Sequence, residues 1–262
     1  MYDNAFDQQP ATYNAASGRL ELYDVQMSSL FVSESQALQE LAAVVGGPTL
    51  ADLPMLKEQA NSMASLVNAS LWDDETGIFR QRDASNQSRG FSPSISPTSF
   101  YPMLSGIPGP EMVERMVRDY LTNESEFCVD PGEEFRTNGA DKWPCEYAMP
   151  SVPRSDPNFR DNSYWRGRIW GPLNLLVWMG LNHESYATIP RVTAARKGLC
   201  VQAHATLMVE WRSRRHVHEC ACKSQSSLQP HNRRTLPSIS LPPHLFISAL
   251  LPSVSCVLNS LD

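Results

Sequence analysis

The chain has 262 residues, 42% apolar and 19% charged, with a net charge of −6, which is enough to bury a core as one globular unit. The acidic balance excludes a nucleic-acid binder, which needs a basic stripe to neutralise phosphates. No apolar run reaches the roughly 18 residues that span a bilayer, and the start MYDNAFDQQP has neither the basic nor the apolar part of a leader, so neither anchor nor export signal is expected.

Met27, Leu30, Phe31, Leu38, Leu41, Ala42 and Val45 recur at steps of three, four and seven, which predicts a helix presenting one apolar face and ending at Gly46-Gly47-Pro48. Asp24 stands near its start, where an acid is favoured by the helix dipole, so a structural role is expected for it. Leu53, Leu56, Ala60, Met63, Ala64, Val67 and Leu71 form a second stripe, entered through Thr49 or Asp52 as a cap, and the two helices make a hairpin. A third helix is expected from about Pro110 to Leu121, with Met112, Val113, Met116, Val117 and Tyr120 inward. Ile169 to Leu181 is apolar on nearly every side and should be buried all round. Val192, Ala195, Leu199, Ala203, Leu207 and Trp211 continue the helical rhythm.

Between these helices, Arg80 to Gly109 and Asn123 to Asn162 read as long loops. Loops over about 15 residues within a compact domain are usually functional or disordered, and the aromatic content here favours function. After Glu219 only Asp262 is acidic. The Ser-, Pro- and Leu-rich stretch 220–262 has no helical stripe to dock, so it is expected to be a low-complexity tail, either disordered or aberrant through translation past an exon end. Six cysteines in a chain this long do not form the dense framework of a small secreted domain, and the redox compartment stays open. The string His216-Val-His218-Glu-Cys220-Ala-Cys222 lacks the ligand spacing of a structural zinc site, so no metal is expected.

The segment Tyr164-Trp165-Arg166-Gly167-Arg168-Ile169-Trp170-Gly171-Pro172-Leu173-Asn174 resembles the Y-W-R-G-x-I-W-x-P-x-N signature of family 63 glycoside hydrolases and their trehalase-like relatives. MYDN with LELYDVQMSSL (20–30), SISPTSFYPMLSG (94–106) and MPSVPRSDPNF (149–159) resemble further blocks of that family in the same order. The resemblance covers about residues 1 to 219 and extends closely to the subgroup that includes mannosylglycerate hydrolases. It implies an all-α fold, here an incomplete (α/α)6 barrel of six-hairpin type over 1–219. A sugar would be held by loops at one rim, and no cofactor is implied. Trp165 and Trp170 then offer flat apolar faces for pyranose C–H surfaces, Arg166 a planar fork of donors, and Gly167 a close backbone approach. Tyr164, Trp143 and the rim residue Asp3 complete the expected sugar contacts, with Glu146 a weaker one.

Glycosidases need two carboxylates, one donating a proton to the leaving oxygen and one activating water or attacking directly. The family's acid is an Asp in a G-x-D-N-S-P stretch immediately before M-Y-D-N, and no such stretch occurs in this sequence. Its base is a Glu in E-N-Y-N, onto which Glu219 maps, although Cys220-Ala221-Cys222 stands where N-Y-N is expected. The resemblance therefore implies a fragment, truncated at both ends, of an inverting enzyme acting on α-glucosidic or α-mannosidic bonds of an oligosaccharide or small glycoside. It is expected to be inactive as this chain. The rivals are a non-catalytic sugar-binding or scaffold protein and a non-functional truncated gene product.

Overall fold

The computed structural model describes residues 13–16, 18–46, 51–84, 90–136, 142–161 and 164–225, the side chains of 13, 19, 20, 160, 161 and 209–225 excepted. Helices dominate it. Helix α1 spans Val25–Val45, α2 Leu53–Leu71, α3 Pro110–Met116, α4 Gly171–Leu181 and α5 Pro190–Gln225. Among the described residues, six two-residue strands form three antiparallel pairs: β1 (Tyr13–Asn14) with β2 (Arg19–Leu20), β3 (Leu22–Tyr23) with β6 (Arg82–Asp83), and β4 (Trp72–Asp73) with β5 (Ile78–Phe79).

The first helix starts and stops where local chemistry says it should. Asp24 is its N-cap, its carboxylate accepting from the Met27 N–H at 2.6 Å, and the other carboxylate oxygen accepts from Gln81 Nε2 at 3.1 Å. At the far end Gly46 turns the chain at φ +69°, its N–H reaching Ala42 O at 2.8 Å. The orientation of the helix is not the one that an apolar stripe suggests. Val25, Ser29, Val32 and Ser35 are buried, whereas Met27, Phe31, Leu38, Leu41 and Val45 of the apolar stripe are 39–69% exposed. The inward face is the one with small side chains, which lets α1 lie close to its neighbours. Ser29 Oγ is satisfied by Val25 O at 2.6 Å, and Gln36 Nε2 donates to Ser105 O at 3.2 Å.

Helix α2 carries Pro54 in its first turn and buries Ala60, Val67 and Leu71. Asp52 precedes it without a side-chain capping bond, and Thr49 lies outside the described residues. The stretch read as a loop from Arg80 to Gly109 holds the innermost element of the fold, a 3-10 helix over Pro97–Ser105. Both α1 and α4 pack on it. Its Phe100, Tyr101 and Met103 are fully buried, and Gly180 of α4 approaches so closely that a Cβ there would sit 3.0 Å from Met103 Cβ. Pro97 and Pro102 disguise this element in the sequence, because proline interrupts the apolar period that identifies an α-helix. Ser96 Oγ accepts from Thr98 N–H to begin it, and Gly106 ends it in the left-handed region at φ +70°.

Helix α3 continues as a single π-helical turn, Val117–Leu121; of the expected inward residues Val113, Met116 and Val117 are buried and Met112 and Tyr120 half-buried, and Leu121 is buried with them. The π turn closes because Thr122 sends both its N–H (2.9 Å) and its Oγ1 (2.8 Å) to Val117 O. Helix α4 corrects a second expectation: Asn174, Val177, Gly180 and Leu181 face inward, but Leu175 and Met179 are 42% and 48% exposed. It is a one-sided helix, and Ile169 and Trp170 precede it rather than belong to it. Helix α5 packs on α4 through Val192, Ala195 and Leu199, which join the core around Phe79, Phe100, Met116, Phe127, Met149 and Tyr186. Its backbone runs without a break through Glu219 and Cys220 to Gln225, and residues 226–262 lie outside the described part.

Candidate functional site

The signature loop Tyr164–Trp170 is held on the segment Met149–Ser151 by a short antiparallel contact. Pro150 pairs with Ile169, and the Ser151 N–H donates to Arg168 O at 2.9 Å. Ser151 Oγ donates to Trp165 O at 2.8 Å and accepts from the Gly167 N–H at 3.1 Å. Gly167 is buried at φ +106°, a conformation that a side chain would strain. Asn174, the last residue of the signature, locks the segment to α4. Its Oδ1 accepts from the Met149 N–H at 3.0 Å, while its Nδ2 donates to Met149 O at 2.9 Å and Trp170 O at 3.1 Å. The signature marks Asn174 but not what it holds, because periodicity shows only a polar residue in an apolar helix.

The aromatic side chains of the loop gather on each other. Trp165 and Trp170 stack with ring centroids 4.2 Å apart and planes within 16°. Tyr164 stands edge-on to both, at 5.6 Å and 5.1 Å, and its carbonyl accepts from Trp170 Nε1 at 3.2 Å. Tyr164 itself is exposed and holds φ +51°, uncommon for a residue with a Cβ. The sequence suggests two separate stacking platforms; the structure makes one indole pair, in which each ring covers a face of the other. Arg166 is half-buried in the same loop.

Beside this loop opens a cleft of about 960 Å³. Its walls are Gly167–Ile169 from the signature, Pro144–Ala148 and Pro150 from the segment before it, Phe127–Cys128, and Arg154 with Phe159. Arg154 lies over the Phe159 ring, its guanidinium carbon 5.9 Å from the centroid. Sequence reasoning misses Arg154, Arg168 and Tyr147, although Arg154 and Phe159 lie in the MPSVPRSDPNF block. Glu146 does line the cleft and is exposed.

Trp143 is placed differently from its expected role. It is 8% exposed, and its Nε1 donates to Cys128 O at 2.9 Å, so it pins the cleft wall from behind. Cys128 and Cys145 form a disulfide, a pairing that the sequence leaves undecided. Gln202 of α5 supports both halves, its Nε2 donating to Cys128 O (3.1 Å) and Cys145 O (2.8 Å) while its Oε1 accepts from the Asp130 N–H (3.2 Å). Behind the wall, Glu126 is half-buried and accepts from Ser155 Oγ at 2.8 Å. Loss of solvent raises its carboxyl above the usual range, against the opposing effects of that hydrogen bond and of Arg80. Asp3 lies outside the described residues, as does the Glu219 side chain, and so do the side chains of His216, His218, Cys220 and Cys222.

Residues 2–214 match the family model described as the mannosylglycerate hydrolase MGH1-like glycoside hydrolase domain. Mannosylglycerate hydrolase MGH1 of Selaginella moellendorffii is 27% identical over 127 residues, 48% of this chain and 22% of that protein. An uncharacterized protein of Borreliella burgdorferi is 23% identical over 170 residues, 64% of this chain and 31% of its own length. The chain therefore spans between a fifth and a third of the curated relatives it matches. Among solved structures, the GH63 mannosylglycerate hydrolase from Thermus thermophilus in complex with glucose superposes with a TM-score of 0.50 at 20% identity. The superposition covers 68% of this chain and 38% of that one. It identifies the helices of this chain as part of a six-hairpin glycosidase fold.

Proposed function

The chain belongs to the mannosylglycerate hydrolase MGH1-like glycoside hydrolase domain family, and from that premise we propose that it forms the sugar-holding part of an inverting hydrolase of α-glucosidic or α-mannosidic bonds. One observation carries this reading: the loop that bears the stacked Trp165–Trp170 pair also contributes Gly167, Arg168 and Ile169 to a wall of the 960 Å³ cleft. Indole faces attract the C–H surfaces of a pyranose, and a cleft of this size accepts a mono- or disaccharide. Arg168 and Arg154 supply donors for hydroxyl oxygens, and Tyr147 both donates and accepts. The ligand class is an oligosaccharide or small glycoside, consistent with a relative whose structure holds glucose.

Inversion requires a water between an acid and a base about 6.5–9.5 Å apart. The family pattern maps the base onto Glu219 and a rim contact onto Asp3, while the acid's G-x-D-N-S-P string has no counterpart in the 262 residues. This chain is therefore expected to bind sugar and to hydrolyse no glycoside at a useful rate, since general-acid assistance alone is worth about 10²–10⁴-fold.

The test pairs two measurements. Glucose titration followed by tryptophan fluorescence should saturate, and Trp170→Ala should weaken binding about tenfold, as loss of a stacked ring does. Assays with α-glucosides and mannosylglycerate should show no turnover. Unchanged affinity in the Trp170→Ala variant would refute the stacking site. Turnover by the unaltered chain would refute the missing-acid argument and direct attention to Asp3 and Glu146, because Asp24 is already committed as a helix cap.

A further inference from the structure

We propose that the Cys128–Cys145 disulfide is a thiol-exchange site, opened by dithiol reductants, that sets whether the cleft wall is tied shut. The inference goes beyond what the cleft binds and stands on three features of the wall.

The first is position. Cys128 comes after the π turn and Cys145 belongs to the segment leading into Pro150; both line the cleft, each flanked by a further lining residue in Phe127 and Pro144. The second is backbone conformation. Cys128 sits at φ +57°, a region that residues other than glycine, asparagine and aspartate enter at a cost. It is kept there by its N–H to Asn123 O at 3.0 Å, by the two donors on its carbonyl, and by the covalent tie. Cutting the tie removes one of the constraints that oppose relaxation. The third is charge. Arg154 is exposed, makes no ion pair among the described residues, and brings its Nη1 against Cys145 Sγ. A guanidinium there stabilises a thiolate far more than a neutral disulfide sulfur, so it favours the reduced state, draws the anionic attacking thiolate to Cys145 and eases the later release of Cys145 as a thiolate.

Exchange takes two balanced steps. A thiolate of the reductant attacks the more accessible Cys145 sulfur, forming a mixed disulfide and releasing Cys128 as a thiolate that takes a proton from water. The reductant's second thiolate then attacks its own sulfur of the mixed disulfide, closing the reductant's disulfide and releasing Cys145 as a thiolate beside Arg154. Two electrons pass from the dithiol to the cystine. The structural response to reduction is local, because the segment is anchored downstream independently of the disulfide. The Ala148 N–H donates to Thr206 Oγ1 at 3.0 Å, and Met149 is clamped by Asn174. Upstream of that anchor, Lys142, Pro144, Glu146 and Tyr147 are exposed, leaving the Trp143 ring and the Gln202 amide to hold the wall.

Dithiothreitol titration of the full chain under native conditions, read by alkylation with mass spectrometry and by amide hydrogen exchange, tests this. The bond should open with the helices intact, Cys145 should alkylate before Cys128, and exchange at Glu146 and Tyr147 should rise at least about tenfold while that of α3 and α4 holds. Arg154→Gln should slow reduction by roughly tenfold near neutral pH, and Cys145→Ser should reproduce the exchange of the reduced chain without reductant. Three results would each overturn the proposal: a disulfide that yields only on global unfolding, unchanged exchange at 146–147, or Arg154→Gln reduced as fast as the parent. None of these readouts depends on sugar binding, so failure here and failure of the glycosidase reading are separately visible.

Discussion

At the scale of single residues, the carboxylates divide by environment. Asp24 spends both oxygens on structure, as its place before a helix foretold. Glu126 is a carboxylate whose surroundings matter for pH. Burial raises its carboxyl, so the folded chain holds a proton there more firmly than the unfolded chain does. That contribution is complete below the ordinary glutamate range and is lost as pH climbs through the raised value, leaving a half-buried charge at neutral pH. Glu126→Gln keeps an acceptor for Ser155 Oγ and removes that charge. It should raise the melting temperature modestly at pH 7–8, leave it unchanged near pH 3, and flatten the profile between. A variant that is less stable at pH 7 would show that the attraction of Arg80 outweighs desolvation.

At the scale of elements, α5 shows how a helix can be placed by what it lacks. Ala194, Gly198 and Gln202 stand at successive four-residue steps and meet the loop 128–132. A Cβ on Gly198 would lie 2.0 Å from the Asp130 carbonyl oxygen, and one on Gly132 would lie 3.2 Å from Ala194 Cβ. Backbone cannot yield as a flexible side chain would. Gly198→Ala should therefore cost about 1–3 kcal/mol in urea unfolding despite alanine's better helix propensity. It should also loosen the Gln202 bridge that supports the cleft wall. An unchanged unfolding midpoint would mean that the helix can shift outward freely. Gly198 reads in the sequence as an ordinary helical glycine, because its reason is the Asp130 carbonyl, far earlier in the chain.

For the whole molecule, the exposed apolar stripe of α1 is the feature least expected from composition. Met27, Phe31, Leu38, Leu41 and Val45 face solvent in this chain, while the polar-looking side carrying Ser29 and Ser35 is packed. Stability should follow the observed burial rather than the pattern. Leu41→Lys is expected to change unfolding free energy by no more than about 0.5 kcal/mol and to improve solubility. Val32→Asp, at a site 1% exposed, should cost about 3 kcal/mol or more by burying an unpaired charge. The reverse ranking would show that the stripe is buried in solution.

The sequence by itself determined the family, the existence and most limits of the helices, a structural role for Asp24, the Gly46 stop and most of the inward face of α3. These come from local rules: residues three and four apart share a face, and caps answer to the backbone groups beside them. Only the tertiary structure decided which face of α1 meets the core, that Pro97–Ser105 lies at its centre, that Trp165 and Trp170 stack on each other, and that Cys128 pairs with Cys145. Periodicity says which residues lie together but not what they will lie against. That depends on how closely two backbones can approach, which is set by small residues such as Ser29, Gly180 and Gly198 and by partners distant in the chain.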